Sequence, residues 1–290
     1  MNEINRDILT AIQEGMKTFS KGQKKIAGYI LDSYDKAAFM TASRLGKVVG
    51  VSESTVVRFA AELGYDGYPD MQRSLQKMIR NRLTSVQRIE VTNDRIGDQD
   101  LLSMVLQSDM EKIRLTLEEL DRSSFDHAVD AIVSARKIYI IGVRSSAAIA
   151  TFLSFYLNLI FDNVVTVPAS TASEVFESLM RVGEGDVVLG VSFPRYSSRT
   201  VQAMHFARDR GATTVAITDS EVSPLAAGAH YTLKARSDMA SFVDSLVAPL
   251  SLVNALLVAV SRKKNDDLAN TFQTLEQIWE EYGVYEKVQD

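Results

Sequence analysis

Between residues 137 and 234, five short runs rich in Val and Ile alternate with segments of helical pattern. The runs are "KIYIIG", "NVVTVP", "DVVLGVS", "TTVAIT" and "HYTLK"; between them lie "SSAAIATFLSFYLNLIF", "ASEVFESLMR" and "SRTVQAMHFARDRG". Strands this uniformly apolar cannot leave one face in water. They predict a parallel sheet covered by helices on both faces, because each parallel return needs a crossover connection. The expected class is α/β, a flavodoxin-like doubly wound layer of five strands, whose ligands bind outside the carboxyl ends of the strands.

The first eighty residues read differently. Apolar residues recur at helical spacing at Ile4, Ile8, Ile12 and Met16, and again at Ile26, Tyr29, Ile30 and Tyr34, with Ser20 placed to cap the second helix. In "TASRLGKVVGVSESTVVRFAAELG" (41–64), Leu45 and Val49 form an inner face and Gly46 stands where a second helix must approach closely. Gly50 suits a left-handed turn, Val51 plugs the corner, Ser52 caps the second helix, and Val56 and Phe59 pack back. The pattern predicts a helix-turn-helix. Its outward Ser52, Ser54, Thr55 and Arg58 are the candidate groups for DNA bases and phosphates, with Arg44 and Lys47 on the preceding helix for the backbone. Pro69 predicts the start of a closing helix with Met71, Leu75, Met78, Ile79 and Leu83 inside. Charge follows the same division: residues 1–90 hold 14 Lys/Arg against 10 Asp/Glu, and the remainder 18 against 27. A basic head on an acidic body assigns a polyanion partner to the head alone. The expected domains are 1–83 for DNA binding, 84–103 as linker, and 104–290 as the sheet domain with C-terminal interface helices.

Several chemistries are excluded or disfavoured. The chain has no cysteine, so disulfides, thiolate catalysis and zinc ribbons fall away, and a reducing cytoplasm is expected. His127, His205 and His230 lack metal-ligand spacing, and no metal or cofactor is expected. The N-terminus has no signal-peptide pattern, and the longest apolar run, Ala248 to Val260, is too short to span a bilayer, so no membrane partner is expected. The segment Met239 to Val260 is apolar on more than one face and reads as a helix buried between subunits. The tail from Asp266 reads as a further amphipathic helix.

Two strand ends carry the candidate site. At the first, "IGVRSSAAIA" (141–150), Ser145 and Ser146 stand at a helix start; at the second, Ser192 ends a strand and Ser197 or Ser198 begins a helix. Helix N-termini favour anions. A serine hydrolase is improbable, because "GVSFP" puts Pro194 where a nucleophile elbow has Gly and no histidine falls nearby. Glu174 and Glu177 are the candidate bases for sugar isomerisation, with N-terminal helix charges as the competing explanation. No catalytic residue is assigned.

The segments "VSESTVVRF" with "LGYDGY", then "IGVRSSAAIA" and "ITDSEVSPLAAGAHYTL", resemble the RpiR/MurR family of bacterial transcriptional regulators over roughly residues 1–262. The resemblance implies an N-terminal DNA-binding domain and a C-terminal sugar isomerase (SIS) domain that senses a phosphosugar without converting it. It also implies a homodimer or homotetramer on a palindromic operator near sugar-catabolism genes. The family's first ligand loop, G-x-G-x-S, reads here Gly142, Val143, Arg144, Ser145, Ser146; its second, S-x-S-G-x-T, reads Ser192, Phe193, Pro194, Arg195, Tyr196, Ser197. Ser146, Ser192 and Ser197 match the pattern, whereas Arg144 and Arg195 stand where the family has Gly and Pro194 where it has Ser. Gly lets backbone N–H groups point at phosphate and Pro removes one, so these exchanges substitute positive charge for backbone donors. With Arg199 one turn on, the loops predict an effector with two anionic groups, a sugar-acid phosphate such as 2-keto-3-deoxy-6-phosphogluconate. The expected effector-binding residues are Arg144, Ser145, Ser146, Ser192, Arg195, Tyr196, Ser197 and Ser198. A sugar-phosphate isomerase with a regulatory N-terminal domain is the alternative.

Overall fold

Local capping and apolar spacing account for the helices at the start of the chain. The computed structural model describes residues 8–79, 84, 86–90, 100–238 and 243–286. The chain divides into two compact units, residues 1–104 with 239–244 and residues 105–238 with 245–290. In the first unit, α1 (Ile8–Gly15), α2 (Lys21–Asp32), α3 (Tyr34–Ala37), α4 (Ala42–Val49), α5 (Glu53–Glu62) and α6 (Tyr68–Ile79) follow one another. Ser20 opens α2 through a reciprocal capping box with Gln23. Ile8, Ile12, Ile26, Ile30, Leu45, Val56, Phe59, Met71 and Leu75 fill the core, where the Phe19 and Phe59 rings meet edge to face at 5.2 Å.

Helix α6 closes this core with polar side chains as well as apolar ones. The Tyr68 hydroxyl donates to Met40 O at 2.6 Å, Gln72 Nε2 to the same oxygen at 2.7 Å, and Gln76 Nε2 to Ala38 O at 2.8 Å. These carbonyls lie where α3 ends, and a helix C-terminus leaves such oxygens without intrahelical partners. Burial pushes the Tyr68 phenol up to about 12. Tyr68, not Pro69, is the first helical residue. Ile4 and Leu83 lie outside the described residues, as does most of the expected linker. Residues 86–90 within that linker are helical, and α7 (Leu101–Glu119) begins before its expected end.

The second unit is the predicted parallel sheet. Strands β1 (Lys137–Gly142), β2 (Val164–Thr166), β3 (Asp186–Val191), β4 (Thr213–Thr218) and β5 (Tyr231–Lys234) lie in the order β2-β1-β3-β4-β5, all parallel. The crossovers and flanks are α8 (Arg122–Val133), α9 (Ser146–Ile160), α10 (Ala172–Ser178), α11 (Ser198–Asp209), α12 (Val247–Lys263) and α13 (Asn265–Glu281). Ile138 and Ile140 face one layer with Leu153, Leu157, Val253 and Leu256; Tyr139 and Ile141 face the other with Val175, Leu179, Ala203 and Met204. Both faces are therefore buried, which is why the strands read as uninterrupted apolar runs. On the second face a Cβ at Gly190 would sit 2.6 Å from Met204 Sδ, so a larger residue there would have to displace the Met204 side chain.

At the end of the sheet where β3 begins, the fully buried Asp186 carboxylate accepts from Arg136 Nε (2.9 Å), Arg136 Nη2 (2.8 Å) and the Gly183 N–H (3.0 Å). Three donors, two from a guanidinium, satisfy a charge that would otherwise be costly to bury. Helix α12 begins at Val247 and not near Met239. Its apolar character has an explanation inside the unit: Ala248, Pro249, Leu252, Val253, Leu256, Leu257 and Val260 are buried in its own core, leaving Val247 and Val258 outward. Burial between subunits is therefore not needed to explain it. Among the described residues, no helix is long and apolar enough to cross a membrane.

Candidate functional site

In the first unit the turn between α4 and α5 has the predicted geometry. Thr41 caps α4 by accepting the Arg44 N–H at 3.2 Å, and Gly50 ends it in the left-handed region (φ 69°, ψ 47°). Val51 N donates back to Gly46 O at 2.9 Å. A Cβ on Gly46 would lie 2.8 Å from Val51 O, so any larger residue would push the two helices apart. Ser52 then caps α5 by accepting the Thr55 N–H at 3.3 Å.

This leaves one face of α5 outward. Ser52, Ser54 and Arg58 are exposed, and Arg44 and Lys47 are exposed on α4. Thr55 is half-buried, and its hydroxyl lies 2.8 Å from Ser52 Oγ, which in turn lies 2.9 Å from Ser54 Oγ. Ser52 and Thr55 are thus committed to the cap, and Ser54 is the hydroxyl best placed to reach a partner. Arg58 is exposed, and its Nε donates to Ser54 O at 3.3 Å on its own helix. Sequence reasoning missed Val57. It is 42 % exposed and lines a shallow depression with Glu53, Ser54 and Arg58. An apolar group there can meet a thymine methyl. Its outward place on the helical wheel was the available signal.

In the second unit, β1 and β3 end side by side, with Gly142 paired to Val191, at the point where the strand order reverses. This is the crevice that doubly wound sheets use for ligands. Gly142 lets α9 pack down on the strand end, since a Cβ would come within 2.6 Å of Ser146 O and 2.8 Å of Ala150 Cβ. The next loop places Arg144 at φ 60°. Ser145 is exposed and its side chain does not cap α9, while Ser146 is 5 % exposed. Among the described residues the side chains of Arg144, Ser145 and Ser146 have no hydrogen-bonded or ionic partner.

The loop after β3 has a matching feature. Arg195 has φ 23° and is exposed, with Pro194 and Phe193 buried before it. Ser192, 2 % exposed, accepts the Ser197 N–H at 3.0 Å, and Ser197 caps α11 by accepting the Thr200 N–H at 3.4 Å. Ser198 is exposed in the first turn of α11. Left-handed backbone is costly for residues with a Cβ, and Arg144 and Arg195 are the non-glycine residues that adopt positive φ among those described. Both stand where glycine was expected. The loops therefore keep the glycine-type backbone, which corrects the expectation that the exchanges replace it, and they add a guanidinium at each loop.

Two other residues change role. Arg199 does not join the other arginines: its Nη1 donates to Ala169 O at 2.7 Å and Ser170 O at 2.9 Å, clasping the loop after β2. Tyr196 donates its hydroxyl to Asp219 Oδ1 at 2.7 Å, at the end of β4, so it braces the loop. Asp219 was missed; it lies in "ITDS", directly after a predicted strand.

The candidate bases and two of the histidines are engaged in other contacts or exposed. Glu174 accepts the Thr171 N–H at 3.1 Å in a capping box at the start of α10, and Glu177 is exposed. His230 Nδ1 accepts from Thr214 N at 3.0 Å, and His127 stacks on Tyr231. Among the described residues no cluster of His, Asp or Glu could hold a metal ion. The arrangement offers two helix N-termini, free serine hydroxyls and two guanidiniums, and it can hold an anionic ligand.

Comparison with known proteins bears on both units. Residues 6–82 match the helix-turn-helix domain of the rpiR family, and residues 131–259 match the SIS domain. The chain is 27 % identical over 269 residues to the HTH-type transcriptional regulator HexR of Escherichia coli, covering 89 % of each chain. It is 24 % identical to an uncharacterized HTH-type transcriptional regulator of Caldanaerobacter subterraneus, covering 94 % of this chain and 96 % of the relative. Among solved structures, the sugar isomerase domain of an RpiR transcription factor from Sphaerobacter thermophilus superposes with a TM-score of 0.59 at 29 % identity, over 62 % of this chain and 99 % of that one. The Vibrio vulnificus NanR protein complexed with ManNAc-6P shares the fold, with a TM-score of 0.58 at 24 % identity over 93 % and 98 % of the two chains.

Proposed function

The chain belongs to the rpiR family of helix-turn-helix transcriptional regulators, with a SIS domain after its DNA-binding domain, and from that premise we propose that a phosphorylated sugar acid controls its binding to operator DNA. Relatives covering about nine-tenths of the chain are named transcriptional regulators, which supports a regulatory and not an enzymatic role. Glu174, one of the two candidate bases of the isomerase alternative, is engaged in a helix cap, which counts against that alternative.

The observation that carries the effector class is the pair of arginines in left-handed backbone, Arg144 and Arg195. Two side chains held at a steric cost of about 1 kcal/mol each imply a use for the guanidinium that glycine could not supply. The helix N-termini at Ser146 and Ser198 would take the phosphate, and the arginines a carboxylate or the remaining phosphate oxygens. ManNAc-6P, the ligand of NanR, carries one anionic group. The two arginines favour a ligand with two, of which 2-keto-3-deoxy-6-phosphogluconate is an example.

On the DNA side, Ser54, Val57 and Arg58 of α5 would enter the major groove, with Arg44, Lys47 and the capping hydroxyls of Ser52 and Thr55 near the phosphates. A palindromic operator would be read by a homodimer with half-sites about 34–36 Å apart, in the cytoplasm where the DNA lies.

Calorimetry tests the effector class. A sugar-acid phosphate such as 6-phosphogluconate should bind at least tenfold tighter than glucosamine 6-phosphate, and Arg195→Gly should erase the difference. Tighter binding of the hexosamine phosphate by the unaltered chain would overturn the sugar-acid reading.

A further inference from the structure

The strain at Arg195 needs something to hold it. A residue with a Cβ stays at φ 23° only where its surroundings fix the chain on both sides of it. Before it, Phe193 and Pro194 are buried. After it, the Ser197 N–H is fixed to Ser192 Oγ, and the Tyr196 hydroxyl donates to Asp219 Oδ1 at 2.7 Å. Tyr196 is the immediate neighbour of Arg195, so this last bond is the hold nearest to the strained residue.

Asp219 belongs to a series of contacts that leads away from the loop. It follows Thr218, which pairs with Lys234 at the end of β4 and whose oxygen accepts the Ala235 N–H at 2.8 Å. Arg236 therefore lies at the same corner of the sheet as Asp219. Arg236 is half-buried and fixed to α7 twice: its backbone N–H donates to the buried Thr116 Oγ1 at 2.9 Å, and its Nη2 donates to Glu119 Oε1. Burial opposes the Arg236 charge, but the Glu119 hydrogen bond and the charges of Glu119, Asp238 and Asp219 hold it above its ordinary value.

We propose that Tyr196, Asp219 and Arg236 form a tether from the Arg195 loop to α7, which positions the Arg195 guanidinium for the effector and makes α7 the element that registers occupancy of the loop. It rests on the effector reading above. A guanidinium already held in place loses less freedom when it meets an anion, so the tether favours binding without touching the ligand. The same contacts act in reverse: if fixing α7 helps the loop to bind, binding at the loop helps to fix α7. Arg236 Nε is buried with no partner among the described residues, which leaves the guanidinium a donor for a second arrangement when the loop tightens.

A double-mutant cycle on the full chain tests the positioning, read by calorimetry with 6-phosphogluconate or glucosamine 6-phosphate, whichever binds the unaltered chain more tightly. Tyr196→Phe removes one hydroxyl and should weaken binding about tenfold with an unchanged thermal melt. In an Arg195→Gly chain the same exchange should alter binding by less than about twofold, since no guanidinium is left to position. An equal loss in both backgrounds would overturn the positioning of Arg195. Hydrogen exchange tests the other end: saturating ligand should slow the amides of residues 112–119 in the unaltered chain and not in Arg236→Gln, whereas Arg236→Lys should keep the response. Asp219→Asn retains an acceptor for Tyr196 but loses the charge facing Arg236, and should behave as Arg236→Gln does. Equal slowing in the unaltered chain and in both of these variants, or none in the unaltered chain, would overturn the tether to α7. Tighter binding of glucosamine 6-phosphate would overturn the sugar-acid reading alone, with the cycle still deciding the tether. Binding of neither ligand would overturn both.

Discussion

The helix-turn-helix and the first candidate ligand loop solve one geometric problem with different residues. Each needs a small residue where a helix closes on its neighbour, and each has one: Gly46, whose Cβ would meet Val51 O at 2.8 Å, and Gly142, whose Cβ would meet Ser146 O at 2.6 Å. Each then takes one residue into the left-handed region. In the DNA-binding unit that residue is Gly50, the unstrained choice; in the ligand loop it is Arg144. The turn that only shapes the chain uses glycine, whereas the turn beside a candidate ligand accepts strain to present a charged side chain. Strain of this kind gathers at functional sites, and the contrast points to the loop.

The largest effects should come from the shared requirement. Gly46→Ala and Gly142→Ala should each destabilise their own unit by about 2 kcal/mol, because the obstructing atoms are backbone and cannot rotate away. Denaturant unfolding measures this, and a change below about 0.5 kcal/mol would mean that the helices are not held so closely. Next, Arg58→Ala should cost about 1–3 kcal/mol of operator affinity with the melt unchanged, as read by fluorescence anisotropy over a salt series. Unchanged affinity would remove α5 from the groove. The smallest effects should have opposite signs. Gly50→Arg should destabilise by about 1 kcal/mol, while Arg144→Gly should leave stability unchanged or raise it by up to about 1 kcal/mol. If Arg144→Gly were instead clearly destabilising, Arg144 would be a structural residue and the contrast between the turns would disappear.

Features set by neighbouring residues were legible in the chain. The Gly46, Gly50 and Ser52 spacing, the Ser20 cap and the alternation of strands with helices all act within a few positions of themselves, and the structure has them where the pattern put them. Contacts made across the fold were not legible. Arg199 looked like a third ligand group until its carbonyl acceptors, 29 and 30 residues earlier, were seen. Tyr196 pairs with Asp219, 23 residues away. The apolar segment from Met239 was legible as buried but not by what: from Val247 its helix is covered by its own sheet and neighbouring helices, which composition alone cannot tell from burial between subunits. Nor could the letters reveal that Arg144 and Arg195 keep the backbone of the glycines they replace, since a substitution does not announce whether the chain bends to suit it.

Asp186 and its three donors sit at the opposite end of the sheet from the ligand loops. One end of the central strand is thus fastened by a buried, fully satisfied charge, while the other opens into loops with free hydroxyls and exposed arginines. Local opening draws on the weaker end first. Amide exchange in the free protein should therefore be fastest around residues 143–146 and 193–198 and slowest around Asp186. An effector bound in the crevice would slow exchange at the first two segments and leave the third unchanged.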